Sequence, residues 1–123
     1  MASSRTIAVV EDNRDNRLLL RAFLGDRYQI AEYENGPTAL EAFLDRVPDL
    51  VLLDISLPGM DGLAVLARIR ADERLKALPV IALTAHAMTG DRERFLRAGF
   101  DAYVAKPIVD ETVLNAAIER FLP

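Results

Sequence analysis

Four apolar runs of this chain end in side chains that can bind a metal ion or a phosphate. In chain order these side chains are Glu11, Asp12, Asp54, Thr84 and Lys106. Carboxylate oxygens are ligands that hard divalent cations prefer. A hydroxyl and an ammonium can both bind phosphoryl oxygens. This set of residues therefore suits chemistry on a phosphoryl group assisted by a metal ion.

The three acids are predicted to meet at one edge of a sheet. If the apolar runs are parallel strands, their carboxyl ends lie side by side, where open α/β sheets bind ligands. Crowded carboxylates repel one another unless a cation compensates for them. One acid after a strand is an ordinary loop residue. All three together, with a lysine in the matching place, favour a Mg²⁺ site formed by Glu11, Asp12 and Asp54.

Asp54 is the candidate for covalent chemistry. It ends the most apolar run, so we expect a rigid backbone and a carboxylate that faces solvent. A carboxylate can attack phosphorus and form an aspartyl phosphate. Mg²⁺ and the ammonium of Lys106 would supply the positive charge that phosphoryl transfer needs. Lys106 precedes Pro107, and the bond between them is a candidate cis peptide.

Thr84 and Tyr103 suggest a two-state element. The hydroxyl of Thr84 can donate to a phosphoryl oxygen or accept from one. Movement of Thr84 toward a phosphate would vacate space for the ring of Tyr103, three residues before Lys106. A local change in charge could then bias two conformations of the protein.

The composition argues against several classes of protein. The 123 residues are 51% hydrophobic and 28% charged, which suits one globular domain over residues 1–123 with a flexible N-terminus at residues 1–5. No apolar stretch approaches the roughly 20 residues of a membrane span, so no membrane association is expected. The absence of cysteine fits a cytoplasmic location. A net charge of −4 without a Lys/Arg cluster argues against nucleic-acid binding.

Short apolar runs alternate with helix-period segments, which is the pattern of repeated βα units. We therefore predict an α/β fold with a doubly wound, five-stranded parallel sheet flanked by five helices. The strands are expected at residues 6–10, 28–33, 50–53, 79–84 and 101–105. The helices are expected at residues 13–24, 37–47, 63–71, 89–98 and 110–122.

The first helix has a predicted inward face. Leu18, Leu19, Ala22 and Phe23 are expected to face the core, and the arginines of this helix are expected outside, namely Arg14, Arg17 and Arg21.

The ordered set of motifs resembles the receiver domain of bacterial two-component response regulators, the CheY-like family. The motifs are Glu11-Asp12-Asn13, Asp54 with Pro58-Gly59-Met60-Asp61-Gly62, Thr84-Ala85 and Lys106-Pro107. They span essentially the whole chain. The segment 83–91 is similar to that of single-domain DivK-type regulators and of receivers in hybrid kinases. The resemblance implies a flavodoxin-like sheet with the strand order 2-1-3-4-5.

The resemblance also implies a phosphoacceptor and a metal site. Asp54 would accept the phosphoryl group. Glu11, Asp12, Asp54 and the backbone carbonyl of Ser56 would bind Mg²⁺, for which Mn²⁺ can substitute. Thr84 and Lys106 would hold the phosphoryl group.

The remaining implications concern switching and partners. Thr84 and Tyr103 would form the switch. A histidine kinase or a histidine phosphotransfer protein would donate the phosphoryl group. The face formed by the fourth helix, the last strand and the last helix would then change for an unknown downstream protein. Here that face would include Arg92, Phe95, Tyr103 and Val104.

Three alternatives stay open at this point. The same receiver chemistry could belong to a hybrid histidine kinase or to another multidomain regulator. A haloacid-dehalogenase-like phosphohydrolase would need a second aspartate two residues after Asp54, where Ser56 stands. A flavodoxin-like FMN-binding module would need a Ser/Thr/Gly-rich loop after the first strand, where acids stand. We expect a switch that phosphorylates and dephosphorylates itself, and not an enzyme with a free substrate.

Overall fold

Strands and helices alternate strictly along the chain. The computed structural model describes residues 5–85, 91–108 and 110–122, apart from the side chains of Asp91 and Arg92. The strands are β1 (Thr6–Val10), β2 (Gln29–Tyr33), β3 (Leu50–Asp54), β4 (Val80–Thr84) and β5 (Ala102–Ala105). The helices are α1 (Arg14–Leu24), α2 (Gly36–Asp45), α3 (Gly62–Ala71), α4 (Asp91–Ala98) and α5 (Glu111–Glu119). Each predicted element is present with small differences at its ends; residues 89–90, predicted to begin the fourth helix, lie outside the described residues.

The five strands form one parallel sheet in the order β2-β1-β3-β4-β5, as predicted. β1 pairs with β2 on one side and with β3 on the other, so the strand order reverses at β1. The register places Asp54 beside Leu83 and Thr84 beside Ala105. Sheets of this kind bind ligands beyond the carboxyl ends of the strands, at the reversal. That edge is where the predicted site residues stand.

Each face of the sheet is covered by its own apolar layer. One layer includes side chains of α2, α3 and α4, among them Ala39, Phe43, Val65, Leu66, Ile69 and Phe95. The other includes side chains of α1 and α5, among them Leu20, Leu24, Leu114 and Ile118. The residues of β3 and β4 are buried throughout. This burial is expected of central parallel strands that are covered on both faces.

Side-chain caps define the starts of α1, α2, α3 and α5. The caps are Asn13, Asn35, Asp61 and Asp110, and each accepts a hydrogen bond from a backbone N–H in the turn that follows it. Asn13 directly follows the acidic pair, so the cap of α1 constrains the backbone that carries Asp12. No helix in the described part of the chain has both the length and the apolar character needed to cross a membrane.

The inward face of α1 differs from the prediction. Leu20 and Leu24 are buried in the core, whereas Leu18 is 51% exposed. Leu19 packs partly against the same layer, and the side chain of Arg17 is only 12% exposed. Three consecutive leucines span a wide arc of a helix, so their pattern does not determine its rotation. Contacts with the sheet and with the acidic loop determine it instead.

Candidate functional site

The carboxyl ends of four strands bring the predicted site residues to one edge. Glu11 follows β1, Asp54 ends β3, Thr84 ends β4 and Lys106 follows β5. The strand pairing continues to this edge, since the backbone N–H of Lys106 donates to the carbonyl of Thr84 at 2.7 Å. The backbone N–H of Glu11 likewise donates to the carbonyl of Tyr33 at 3.0 Å. The backbone at the site is therefore held by the sheet.

Glu11, Asp12 and Asp54 form an acidic cluster. One ligand oxygen from each residue lies within 4.8 Å of the other two. Glu11 is buried and Asp12 is exposed. The prediction that the Asp54 carboxylate faces solvent is wrong: the residue is only 2% exposed, and Lys106 lies against it. A cluster of carboxylate oxygens fits a hard divalent cation, which prefers oxygen ligands.

Lys106 is the cation beside this cluster. Its ammonium lies 2.8 Å from Oε1 of Glu11 and 3.2 Å from Oδ2 of Asp54. Burial lowers the pKa of Lys106, but the hydrogen bond to Glu11 and the charges of the two acids outweigh it, and the net shift is upward. Lys106 therefore stays charged at neutral pH. The Lys106–Pro107 bond is cis, as predicted.

Glu11 is held by three donors. Its Oε1 accepts hydrogen bonds from Lys106 and from Nδ2 of Asn16, and its Oε2 accepts one from the backbone N–H of Asn13. Burial raises the pKa of Glu11, and the nearby Asp54 adds to that rise, while the hydrogen bond from Lys106 opposes it. Asn16 was not among the site residues predicted from the sequence. Its position in the first turn of α1, next to the acidic loop, is a signal that could have identified it.

The loop after β3 shapes the surroundings of Asp54. Oδ1 of Asp54 accepts a hydrogen bond from the backbone N–H of Ser56 at 3.0 Å. Gly62 packs against the same strand end: a Cβ here would lie 2.7 Å from Cα of Ile55 and closer still to the carbonyl oxygen of Asp54. Only glycine lets α3 begin this close to Asp54. The Ser56 carbonyl as a metal ligand stays a prediction.

Thr84 and Tyr103 lie on adjacent strands. Thr84 is buried, and Tyr103 is half-buried. Tyr103 packs against the core layer that contains Phe95. It also lines a surface groove of about 300 Å³ beside Leu96 and Val113. Tyr103 therefore contacts both the core and the surface between α4, β5 and α5.

The predicted composition of this surface is partly wrong. Phe95 is 0% exposed and Val104 is 3% exposed, so both belong to the core. The exposed apolar side chains are Leu96 and Val113 instead. The side chain of Arg92 lies outside the described residues. Helical periodicity alone does not tell whether Phe95 or Leu96 is the exposed side chain, because α4 carries apolar side chains on neighbouring faces.

The fold and the site agree with one known family. The chain matches the family of response regulator receiver domains over residues 7–119. The chain belongs to this family. It is therefore the receiver domain of a two-component response regulator. Receiver domains are signalling switches and not conventional enzymes, whereas self-phosphorylation and self-dephosphorylation stay predictions.

The receiver domain is similar to DivK regulators and to kinase receivers, as predicted. The polar-differentiation response regulator DivK of Brucella anthropi is 41% identical over 105 residues, which cover 85% of each chain. The receiver domain of sensor histidine kinase PA1611 from Pseudomonas aeruginosa PAO1 is 35% identical with a TM-score of 0.86 over 98% of both chains. That protein has a magnesium ion coordinated in its active site cleft. A receiver domain of a histidine kinase from Syntrophus aciditrophicus is 31% identical, with a TM-score of 0.86 over 97% of this chain and 90% of that one.

Proposed function

We propose that the carboxylate of Asp54 accepts a phosphoryl group from the phosphohistidine of a histidine kinase or a histidine phosphotransfer protein. One observation carries this proposal, the position of Asp54 between a cation and an acidic cluster. Its Oδ2 lies 3.2 Å from the ammonium of Lys106, and it shares a set of close ligand oxygens with Glu11 and Asp12. Phosphoryl transfer depends on positioning and on positive charge near the phosphoryl oxygens, and both are available here.

The transfer forms one bond and breaks one. A carboxylate oxygen of Asp54 attacks phosphorus and forms a P–O bond. The P–N bond to the donor histidine breaks, and the histidine nitrogen keeps the electron pair and takes a proton from solvent. Hydrolysis ends the phosphorylated state: water attacks the same phosphorus, the Asp54 carboxylate is regenerated and inorganic phosphate leaves.

Glu11, Asp12 and Asp54 would hold Mg²⁺, with the backbone carbonyl of Ser56 as a further ligand, and Mn²⁺ has similar ligand preferences. The bound ion would neutralise charge on the phosphoryl oxygens. Glu11 already pairs with Lys106 at 2.8 Å, whereas Asp12 is exposed. Asp12 is therefore the carboxylate best placed to meet a hydrated ion from solvent. The magnesium ion in the active site cleft of the Pseudomonas relative supports magnesium as the ion.

Lys106 and Thr84 would hold the phosphoryl group after transfer. The ammonium of Lys106 would exchange its contacts with Glu11 and Asp54 for contacts with phosphoryl oxygens. The hydroxyl of Thr84 would donate to another phosphoryl oxygen. Movement of Thr84 would then favour one of two positions of Tyr103 and shift a pre-existing equilibrium.

The surface formed by α4, β5 and α5 would present this change to a downstream protein. Its groove is lined by Tyr103 together with the exposed Leu96 and Val113.

The same chemistry within a hybrid kinase is a second candidate function, which the similarity to the Pseudomonas kinase receiver supports. The cytoplasmic location and the extent of the domain stay predictions. The phosphohydrolase has less support, since Ser56 stands where its second aspartate would be.

Acetyl phosphate with Mg²⁺ tests the proposal directly. Intact mass spectrometry of the purified protein is expected to detect the gain of one phosphoryl group. Asp54→Asn and removal of Mg²⁺ by a chelator are each expected to abolish the gain. Asp26→Asn, which changes an exposed acid away from the site, is the matched control and should gain the group normally. If folded wild-type protein neither gains the group nor binds beryllium fluoride, the proposal is wrong.

A further inference from the structure

Arg17 connects the acidic loop to the edge strand of the sheet. Its Nη1 donates to the carbonyl of Glu11 at 2.9 Å and to the carbonyl of Asp12 at 3.1 Å. Its Nε lies 3.4 Å from Oε1 of Glu32 and its Nη2 lies 3.5 Å from Oε1 of Glu34. Thus one guanidinium contacts both successive carbonyls of the acidic pair and two carboxylates at the end of β2.

These contacts are not those of an ordinary surface arginine. The side chain of Arg17 is 12% exposed and that of Glu32 is 26% exposed. Arg21, one turn later on α1, holds Glu32 from the other side through its Nε at 2.7 Å. Glu32 therefore contacts two arginines of α1. The planar guanidinium can donate in several directions at once, which a lysine ammonium on a flexible stem does less well.

We infer that Arg17 is a positioning residue that holds the backbone of Glu11 and Asp12 in the geometry that binds Mg²⁺. This inference rests on the proposed function, because it takes the acidic cluster as the metal site. Asp12 is exposed, so the direction of its carboxylate depends on how firmly its backbone is held. Among the described residues, the hydrogen bonds and ion pairs of Arg17 go to backbone carbonyls and to Glu32 and Glu34, and not to the carboxylates of the cluster. It acts through the two carbonyls.

Electrostatics alone makes the opposite prediction. Arg17 is a positive charge near a cation site, and like charges repel. If Arg17 acted only through its charge, its removal would strengthen Mg²⁺ binding. If it positions the loop, its removal weakens Mg²⁺ binding. The sign of the change therefore separates the two roles.

Two variants of Arg17 test the sign of the change in Mg²⁺ affinity. Arg17→Met removes the charge and keeps an unbranched apolar side chain, and Arg17→Lys keeps the charge but loses the planar set of donors. We expect both to bind Mg²⁺ about tenfold more weakly, which is at the lower end for residues that orient metal ligands. Arg21→Met is the matched control. It removes a charge from the same helix and a partner of the same Glu32, but Arg21 reaches the carbonyl of Ile30 and not the acidic loop.

The binding constant for Mg²⁺ is measured by following backbone amide signals of the full chain in an NMR titration. A second readout needs no metal: hydrogen exchange of the Asn13 amide, which donates to Oε2 of Glu11. Its exchange should be faster in both Arg17 variants and unchanged in Arg21→Met. Thermal unfolding of each variant confirms that it is folded at the temperature of the titration.

The outcomes are distinct. Wild-type protein that does not bind Mg²⁺ overturns the proposed function, and this inference with it. If the wild type binds Mg²⁺ and the affinity of Arg17→Lys is within twofold of the wild-type affinity, only the positioning role is overturned. Tighter binding by Arg17→Met, with normal binding by Arg17→Lys, assigns a purely electrostatic role. An Arg17→Lys variant that fails to fold also overturns the inference, since the contacts would then hold the fold and not the loop.

Discussion

The ammonium of Lys106 lies 2.8 Å from Oε1 of Glu11, although 95 positions separate the two residues in the chain. The side chain of Glu11 is 1% exposed and that of Lys106 is 16% exposed. The pair therefore joins the ends of β1 and β5 in a largely buried place. Lys106 is the one lysine of the site among the described residues, and its charge neutralises part of the acidic cluster.

Loss of this lysine should destabilise the receiver domain. Lys106→Met leaves two buried acids, Glu11 and Asp54, without their shared partner. We expect the free energy of unfolding to fall by about 2–3 kcal/mol, less than the roughly 3–5 kcal/mol of a fully buried pair because Lys106 is partly solvated. Urea denaturation without Mg²⁺ measures the change. Lys76→Met is the control: its ion pair with Glu73 is exposed, and its loss should cost less than about 1 kcal/mol.

Mg²⁺ should stabilise the folded receiver domain. A ligand that binds only the folded state adds about 2.7 kcal/mol at a hundredfold excess over its dissociation constant. Asp12→Asn removes the exposed carboxylate of the cluster and should abolish most of the gain. Thermal melts with and without Mg²⁺ measure it, and Asp26→Asn should respond like wild type. A full Mg²⁺ response in Asp12→Asn would mean that the ion binds elsewhere.

Gly62→Ala should impair both the fold and the site. The added Cβ would collide with the backbone of Asp54 and Ile55, and we expect a loss of about 3 kcal/mol because backbone must move. Gly59→Ala, in the loop just before α3, is the matched control. Its φ is +74° and no atom lies within 4 Å of the added Cβ. The expected loss in the free energy of unfolding is therefore only that of placing alanine in a left-handed backbone conformation, about 1 kcal/mol.

Chemical denaturation compares the two glycine variants, and Mg²⁺ affinity gives a second comparison. Displacement of the Asp54 backbone should weaken Mg²⁺ binding in Gly62→Ala and leave it unchanged in Gly59→Ala. Equal stability of the two variants would contradict the close approach of α3 to β3.

Asp110 should make the stability of α5 depend on pH in the acid range. Hydrogen bonds from the side chain and backbone N–H of Thr112 lower the pKa of Asp110 from its ordinary value of 3.8. A lowered folded-state pKa stabilises the protein above the unfolded-state value, and that contribution is lost as pH falls through the folded-state pKa. Asp110→Asn keeps a capping oxygen but does not ionise.

Wild type should therefore be more stable than Asp110→Asn above about pH 4, with a difference that shrinks as the pH falls below 3.8. Urea denaturation across this range measures both proteins. Asp26→Asn provides the control for loss of an exposed acid. A difference between wild type and Asp110→Asn that stays constant with pH would argue against the charged cap.

Local patterns in the sequence were enough to predict the elements of this receiver domain and the edge where its site lies. Apolar runs of strand length alternate with amphipathic segments, and both signals depend only on neighbouring residues. Because parallel strands align their carboxyl ends, Glu11, Asp54, Thr84 and Lys106 could be assigned to one edge before any contact was known. The fold class followed from the same pattern, and the strand order followed from the family resemblance.

Only the tertiary structure determined which side chains meet and which are buried. The burial of Asp54, the pairing of Lys106 with Glu11 and the inward position of Phe95 depend on contacts between distant parts of the chain. The contacts of Arg17 depend on the rotation of α1 about its own axis, and three adjacent leucines leave that rotation undetermined. Periodicity reports which faces of an element are apolar. Packing against the sheet then selects one face and fixes the distances on which the chemistry depends.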